Sequence, residues 1–344
     1  MAEMIHSLND YKEKKYEEAM FDFAPDYGKG SDDISSESVS FWKGAFKRLT
    51  KQKLTMVSFI VILIIVLGCI LIPFGREAAA YVQDPRIQNL PPKIPGLARL
   101  GIFNGMRNGV DAYAAVNVER FYIFGTDDLG RDIFLRLWIG MRTSLLIALI
   151  VTTIELIIGA IIGGVSGYVG GTVDIVIQRI IEIFNNIPTL IVVLVVSLAL
   201  NQSFLTIVIA LSLFSWIGFS RLVRAQILKY KEQEFVLAAR TLGADAKRIL
   251  FSHLLPNVLS TFVVALTMDF PATILSEAYY TFLGVGLPTG DISLGQLIVE
   301  NVGKLNTYAY QLIIPTIFMA LISLSFNLFG NGLRDALDPK MKDR

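Results

Sequence analysis

The chain alternates between long apolar runs and charged intervals, and the runs have the dimensions of membrane spans. Residues 54–73, 144–165, 180–200, 204–219, 258–274 and 308–329 are dominated by Leu, Ile, Val, Phe and Ala. About 20 apolar residues in helical conformation cross the hydrocarbon core of a bilayer. The run 180–200 contains Pro188, the run 204–219 is short and crosses only if extended or buried among its neighbours, and 258–274 begins a further span. The pattern predicts an all-α polytopic membrane protein with six transmembrane helices. Around them it predicts a loosely ordered tail over 1–40, an interfacial helix over 41–53 and a first transmembrane helix over 54–73. A loop over 74–142, a five-helix core over 143–330 and a tail over 331–344 complete the chain.

Composition agrees with that pattern. Of 344 residues, 53% are hydrophobic and only 18% charged, well away from the average of water-soluble domains. The formal net charge of +1 carries no information about nucleic acid or acidic substrates, so the distribution of charge decides more than its sum. Lys43, Lys47, Arg48, Lys51 and Lys53 precede the first span, interleaved with Phe41, Trp42 and Phe46. Next to a span, this reads as an interfacial helix on the positive-inside side rather than a nucleic-acid patch. Arg221, Arg224, Lys229, Lys231, Arg240, Lys247 and Arg248 follow the fourth span, and Arg334, Lys340, Lys342 and Arg344 follow the sixth. Six spans place these clusters on one face of the membrane, and the positive-inside rule makes that face the cytoplasm, with both termini there. No apolar segment near the N-terminus reads as a signal peptide.

Candidate chemistry is sparse. Cys69 is the one cysteine, and His6 and His253 lack partner motifs, so neither a disulfide nor a metal site is expected. No phosphate-binding lysine loop, Ser/His/Asp set or zinc-protease motif occurs, and no catalytic role is expected. Gly159, Gly163 and Gly167 recur at four-residue spacing in the second span, the small-residue pattern of closely packed membrane helices. Glu155 and Asp269 fall inside spans, where a carboxylate costs about 2.5–3.5 kcal/mol. Such groups face a helix bundle or a watery path, and a structural helix–helix contact and a place on a substrate route weigh equally for each. Arg179 and Glu182 pair along one helix face.

The stretch EFVLAARTLGADAKRILFSHLLPN, residues 234–257, is charged where its flanks are not. Glu234, Ala238 and Ala239 favour a short helix. Gly243 can end it at positive φ, Asp245 can cap a second helix, and Pro256 suits the first turn of a third. The joint spacing of these residues resembles the EAA loop of ABC-importer permeases. Three further stretches resemble the C-type permease subunit of dipeptide and oligopeptide ABC importers. They are Gly125-Thr126-Asp127-Asp128-Leu129-Gly130-Arg131-Asp132, then EAYYTFLGVG beginning at Glu277, and FNLFGNGLRDALDP over 326–339, where Asn331 stands in place of the family's Asp. In the first of these, Thr126 and the aspartates favour turns and caps, and Arg131 can clamp a carboxylate, most simply Asp127 or Asp128 of its own loop.

The resemblance implies a type I ABC-importer permease whose 234–257 loop is a cytoplasmic coupling helix docking on a separate ATPase. It implies a homologous permease subunit as heterodimer partner, two cytoplasmic ATPases, an extracytoplasmic peptide-binding protein, and a peptide substrate in a plasma membrane. ATP and Mg would be bound by the partner subunits and no cofactor by this chain. Glu234, Ala238, Ala239, Gly243, Asp245 and Pro256 are then coupling residues. Glu155, Asp269 and Glu277 are pathway candidates, and the Gly125–Asp132 stretch is an extracytoplasmic element. Nickel and glutathione importers share these motifs. The competing class is a secondary transporter or channel working alone, which broken helices or inverted repeats would favour; neither is evident in the sequence.

Overall fold

The computed structural model describes residues 41–98, 101–107, 109–288 and 290–337. The expected N-terminal tail and the basic end after residue 337 lie outside them. The chain divides into a short unit, Met1–Gly44, and the unit Ala45–Arg344, which contains the spans.

Outside the loop after the first span, the described residues are mostly helical, with short links between helices. The amphipathic helix α1 (Phe41–Lys51) breaks at Gln52, and α2 (Lys53–Leu71) is the first span, apolar on nearly all sides. Then follow α3 (Ile133–Val169), α4 (Gly171–Asn185), α5 (Thr189–Leu200), α6 (Phe204–Tyr230) and α7 (Glu234–Thr241). The last three are α8 (Leu255–Phe282), α9 (Leu294–Asn301) and α10 (Ala309–Leu337). Among the described residues five helices are long and apolar enough to cross a membrane, and six segments qualify if the bent pair α4 and α5 counts as one broken span.

That bent pair corrects the expected third span. The chain turns by 76° between α4 and α5 instead of running as one helix. Pro188 has no N–H to give and biases Ile187 away from helical ψ, so α4 ends at Asn185 and a new helix starts at Thr189. At about 1.5 Å per residue, the 12 residues of α5 reach roughly 18 Å, too little to cross alone. A broken helix is therefore present, although the sequence does not declare it.

Other boundaries shift outward. Asp132 caps α3 by accepting the Phe134 N–H at 3.0 Å, so the last residues of the expected loop are already helical. The 37 residues of α3 measure about 55 Å, and the helix extends well past the bilayer core. The 27-residue α6 is long enough to cross by itself, and α10 continues to Leu337 through what was expected to be tail.

The glycines of α3 explain its closest packing. A Cβ on Gly159 would lie 2.7 Å from Phe219 Cδ1, one on Gly167 2.9 Å from the Arg224 carbonyl oxygen, and one on Gly163 would overlap the Ser220 carbonyl. The three hydrogens face α6 in register, so the two backbones touch. Each glycine costs about 1 kcal/mol of helix propensity, which the close approach offsets.

The long loop has a small core of its own, Ile87, Leu90, Tyr113 and Tyr122, beside a two-residue hairpin, β1 (Met106–Arg107) with β2 (Val110–Asp111). It is fastened to α10 where the Tyr310 hydroxyl donates to Leu90 O at 3.0 Å and Gln311 Nε2 donates to Asn89 Oδ1 at 2.8 Å.

Candidate functional site

Three places gather the residues that the sequence marks. The first is the elbow after α6. Glu234 opens α7, where a carboxylate is favoured by the helix dipole. At its end Gly243 has φ +83°, its N–H donates to Arg240 O at 2.9 Å, and the Ala244 N–H donates to Ala239 O at 3.0 Å. This pair of bonds is the Schellman closure, which requires a left-handed residue at the position Gly243 holds. Asp245 Oδ1 then accepts the Arg248 N–H at 3.0 Å and starts the next turn, Ala246–Arg248. The elbow is thus rigid on both sides of one glycine, and its tip, Leu242, is 88% exposed.

Two details differ from expectation. Ala239 faces inward with Val236, against Ile249, Leu250 and Leu254, so its small side chain serves the elbow's own packing, while Ala238 points out. Pro256 stands in the first turn of α8, where it is expected, but that helix does not start afresh. A π-type turn over Ile249–Leu254 joins the Ala246–Arg248 turn to α8, and the run Ala246–Phe282 is continuous. The widened turn absorbs the missing proline donor.

The second place is the Gly125–Asp132 stretch, which closes on itself. Thr126 is fully buried, accepting the Leu90 N–H at 2.9 Å and donating to the Ile87 carbonyl. Gly125 and Gly130 both take positive φ. Asp127 accepts from the backbone N–H groups of Leu129 and Arg131, each at 2.9 Å. It also accepts from Arg131 Nε at 2.7 Å and from Arg136 Nη1 at 2.5 Å. Glu300 of α9 bridges the same two guanidiniums, at 3.3 Å from Arg131 and 3.1 Å from Arg136. Two acids and two bases balance in a setting where Arg136 is 1% exposed. Asp128 points outward and meets Lys304 at 3.1 Å. Burial pushes the Asp132 carboxyl above the usual aspartate range, despite the helix N–H groups it accepts. Arg131 is therefore engaged by Asp127 of its own loop and by Glu300 of α9.

The third place is a cavity of about 450 Å³ between α3, α6 and α8. Glu155 and Asp269 both line it, with Ser215, Gly218 and Met268. Glu277, the third pathway candidate, does not line this cavity. It is completely enclosed, accepting from Ser293 Oγ at 2.8 Å, Ser144 Oγ at 3.0 Å and Thr281 Oγ1 at 3.1 Å. Three hydroxyls from α3, α8 and the α9 cap thus tie the helices together through one carboxylate, an arrangement with no room for a passing substrate.

Glu300 had no motif to mark it, since its partner Arg136 lies 164 residues away in sequence. Asp174 is a similar case. It takes both Arg224 nitrogens at 2.6 Å and so anchors the start of α4 to α6. Its only local signal is an acid in the first turn of a helix.

Residues 155–343 match the family model described as binding-protein-dependent transport system inner membrane component. Residues 40–92 match the N-terminal TM domain of oligopeptide transport permease C. The chain is 40% identical over 338 residues to the dipeptide transport system permease protein DppC of Lactococcus lactis subsp. cremoris (strain MG1363), covering 94% of this chain and 98% of that one. It is 35% identical over 323 residues to the oligopeptide transport system permease protein OppC of Bacillus subtilis (strain 168), covering 94% and 97%.

Proposed function

Because the chain belongs to the binding-protein-dependent transport system inner membrane components, we propose that it is the C-type permease subunit of an ATP-driven importer of oligopeptides or dipeptides. The family assigns it to work with other ABC subunits in a membrane it crosses several times, which removes the stand-alone secondary transporter even though α4 and α5 form a broken helix. The bend at Pro188 belongs to a permease helix, not to a transporter of another class.

In this reading the partners are a homologous permease subunit, two cytoplasmic ATPases that bind ATP and Mg, and an extracytoplasmic peptide-binding protein. ATP hydrolysis resides in the ATPases. Both termini and the elbow are cytoplasmic. The observation that carries the coupling role is the elbow's construction. Two helices meet at a glycine whose positive φ fixes their angle, and the tip residue Leu242 is left almost wholly bare. A rigid apolar tip flanked by Glu234, Ala238 and Asp245 transmits motion without deforming. Glu155 and Asp269 border the substrate route through the cavity they share.

The test uses the complex reconstituted with its ATPases and binding protein in liposomes. Leu242→Asp places a charge at the tip without touching the elbow's interior. Gly243→Asp puts a Cβ at positive φ, a strain of about 1–2 kcal/mol that tilts one helix against the other. Both variants should insert normally, and peptide uptake and peptide-stimulated ATP hydrolysis should fall together. Normal expression with both activities at the unsubstituted level would show that the elbow is only a connector.

A further inference from the structure

The cavity between α3, α6 and α8 holds polar groups that the rest of the chain leaves unserved. Glu155 is 5% exposed, yet its carboxylate receives no hydrogen bond and no cation from any described residue. Asp269 across the cavity is equally without a side-chain partner, and the buried Ser215 Oγ also lacks one. The remaining lining is small or apolar, Gly218, Phe219, Leu222, Ala265 and Met268, with no lysine, arginine or histidine. Contrast Glu277 on the same helix as Asp269, which takes three hydroxyl donors. Where this fold uses a carboxylate for structure, it supplies the donors. At Glu155 and Asp269 it supplies space.

Two carboxylates with no cation between them favour a positively charged visitor. A hard divalent ion takes six or more oxygen ligands, whereas here two carboxylates and one hydroxyl are offered. Among the described residues no group of three or more His, Cys, Asp and Glu could hold a metal. An ammonium has three N–H donors, and two carboxylates with one hydroxyl hold enough oxygens to accept all three. A volume of about 450 Å³ equals the liquid share of roughly 15 waters, room for a whole terminal residue rather than a bare ion.

We infer that Glu155, Asp269 and Ser215 form a transit site for the α-ammonium group of a peptide, so that the permease itself selects peptides with a free amino terminus. The inference rests on the proposed role of this chain as a peptide permease and adds a specificity that the permease contributes separately from any binding protein. Every unblocked peptide carries this group, charged below its pKa of about 8, and sequence-independent recognition at one end suits a route that must pass many side chains. Acetylation removes both the charge and two donors while leaving the rest of the peptide unchanged, so it isolates the proposed contact.

The test is labelling in the cavity, on the complex assembled with its ATPases in lipid nanodiscs and without the binding protein. Met268→Cys in a Cys69→Ser background places a thiol on the cavity wall and leaves the three acceptors intact. The rate of reaction with a water-soluble maleimide is measured in each nucleotide state, with tetra-alanine or N-acetyl-tetra-alanine present at the same concentration. Tetra-alanine should slow labelling by about tenfold and the acetylated peptide should not, as expected where a site built for N–H donors meets an analogue lacking them. Glu155→Gln and Asp269→Asn should each abolish the protection. Equal protection by both peptides, protection by neither, or protection that survives both substitutions would overturn the ammonium site while leaving the cavity on the substrate route. A thiol that never reacts in any nucleotide state would remove the cavity from the route, and the inference with it. The two peptides compared on the Met268→Cys complex carry the test even where a carboxylate variant fails to assemble.

Discussion

Replacing Asp127 by asparagine should be among the most damaging single changes outside the spans, while the same change at its neighbour Asp128 should pass almost unnoticed. Asp127 accepts four hydrogen bonds, from the N–H groups of Leu129 and Arg131 and from the Arg131 and Arg136 guanidiniums. With Glu300 it balances two positive charges. Asparagine leaves those charges facing one carboxylate and points an amide donor at a guanidinium that is itself a donor. Removing one partner of a buried ion pair costs roughly 3–5 kcal/mol, because the other charge stays buried. Asp128 meets Lys304 at 3.1 Å with its own side chain 51% exposed, and an exposed pair contributes about 0–1 kcal/mol. The charge count suggests a rescue. Asp127→Asn with Arg136→Met leaves Arg131 and Glu300, one charge of each sign, still within 3.3 Å, and should recover most of the loss. The assay is denaturation of the purified complex in detergent, followed by tryptophan fluorescence, since Trp138 sits two residues beyond Arg136 on α3. If Asp127→Asn lies within about 1 kcal/mol of Asp128→Asn, or the double variant is worse than the single, charge balance in the buried network is not what stabilises this part of the fold.

Gly163→Val should force α3 and α6 apart, because its side chain would enter the Ser220 carbonyl and come within 2.8 Å of Val223 Cβ; overpacking of this kind costs about 1–3 kcal/mol. Gly164→Ala, whose Cβ meets Leu250 Cδ1 at an ordinary 3.4 Å, should be tolerated, and equal thermal stability of the two variants would contradict the close-packed glycine face. Asp132→Asn tests the electrostatics of the α3 cap. Burial raises the folded-state pKa of Asp132, so the folded protein binds this proton more tightly than the unfolded chain. Stability therefore falls as pH rises from the ordinary aspartate value of about 3.9 through the raised one, and the full penalty is present at neutral pH. Asparagine keeps an oxygen to accept the Phe134 N–H and has nothing to ionise. Denaturation midpoints across acidic pH should show a flatter profile than the unsubstituted protein and no loss near neutrality, and parallel profiles would show that Asp132 ionises freely.

Much of the protein could be read from the chain because the responsible forces are local. A bilayer needs apolar helices of a certain length, so the runs of Leu, Ile and Val announce the spans wherever they occur. The closure at Gly243 and the cap at Asp245 depend on backbone groups within five residues, and the spacing of Gly159, Gly163 and Gly167 states a helix face without reference to its partner. The break at Pro188 was half legible, since proline marks the place but not whether neighbouring helices will hold the chain straight. What sequence could not decide is which charges meet. Asp127 and Asp128 are adjacent and chemically identical, and only the packing of α9 beside α3 buries one against Arg136 and Glu300 and leaves the other in solvent. Glu155, Asp269 and Glu277 are the same kind of group to a reader of the sequence. The crossing of α3, α6 and α8 gives the first two a common cavity and surrounds the third with hydroxyls. Ala239 turned inward for the same reason, because the direction of a side chain on a short helix is set by what that helix packs against. Secondary structure and span number follow from interactions a few residues long, whereas charge pairing and cavities depend on contacts between helices far apart in sequence, and those exist only once the helices have packed.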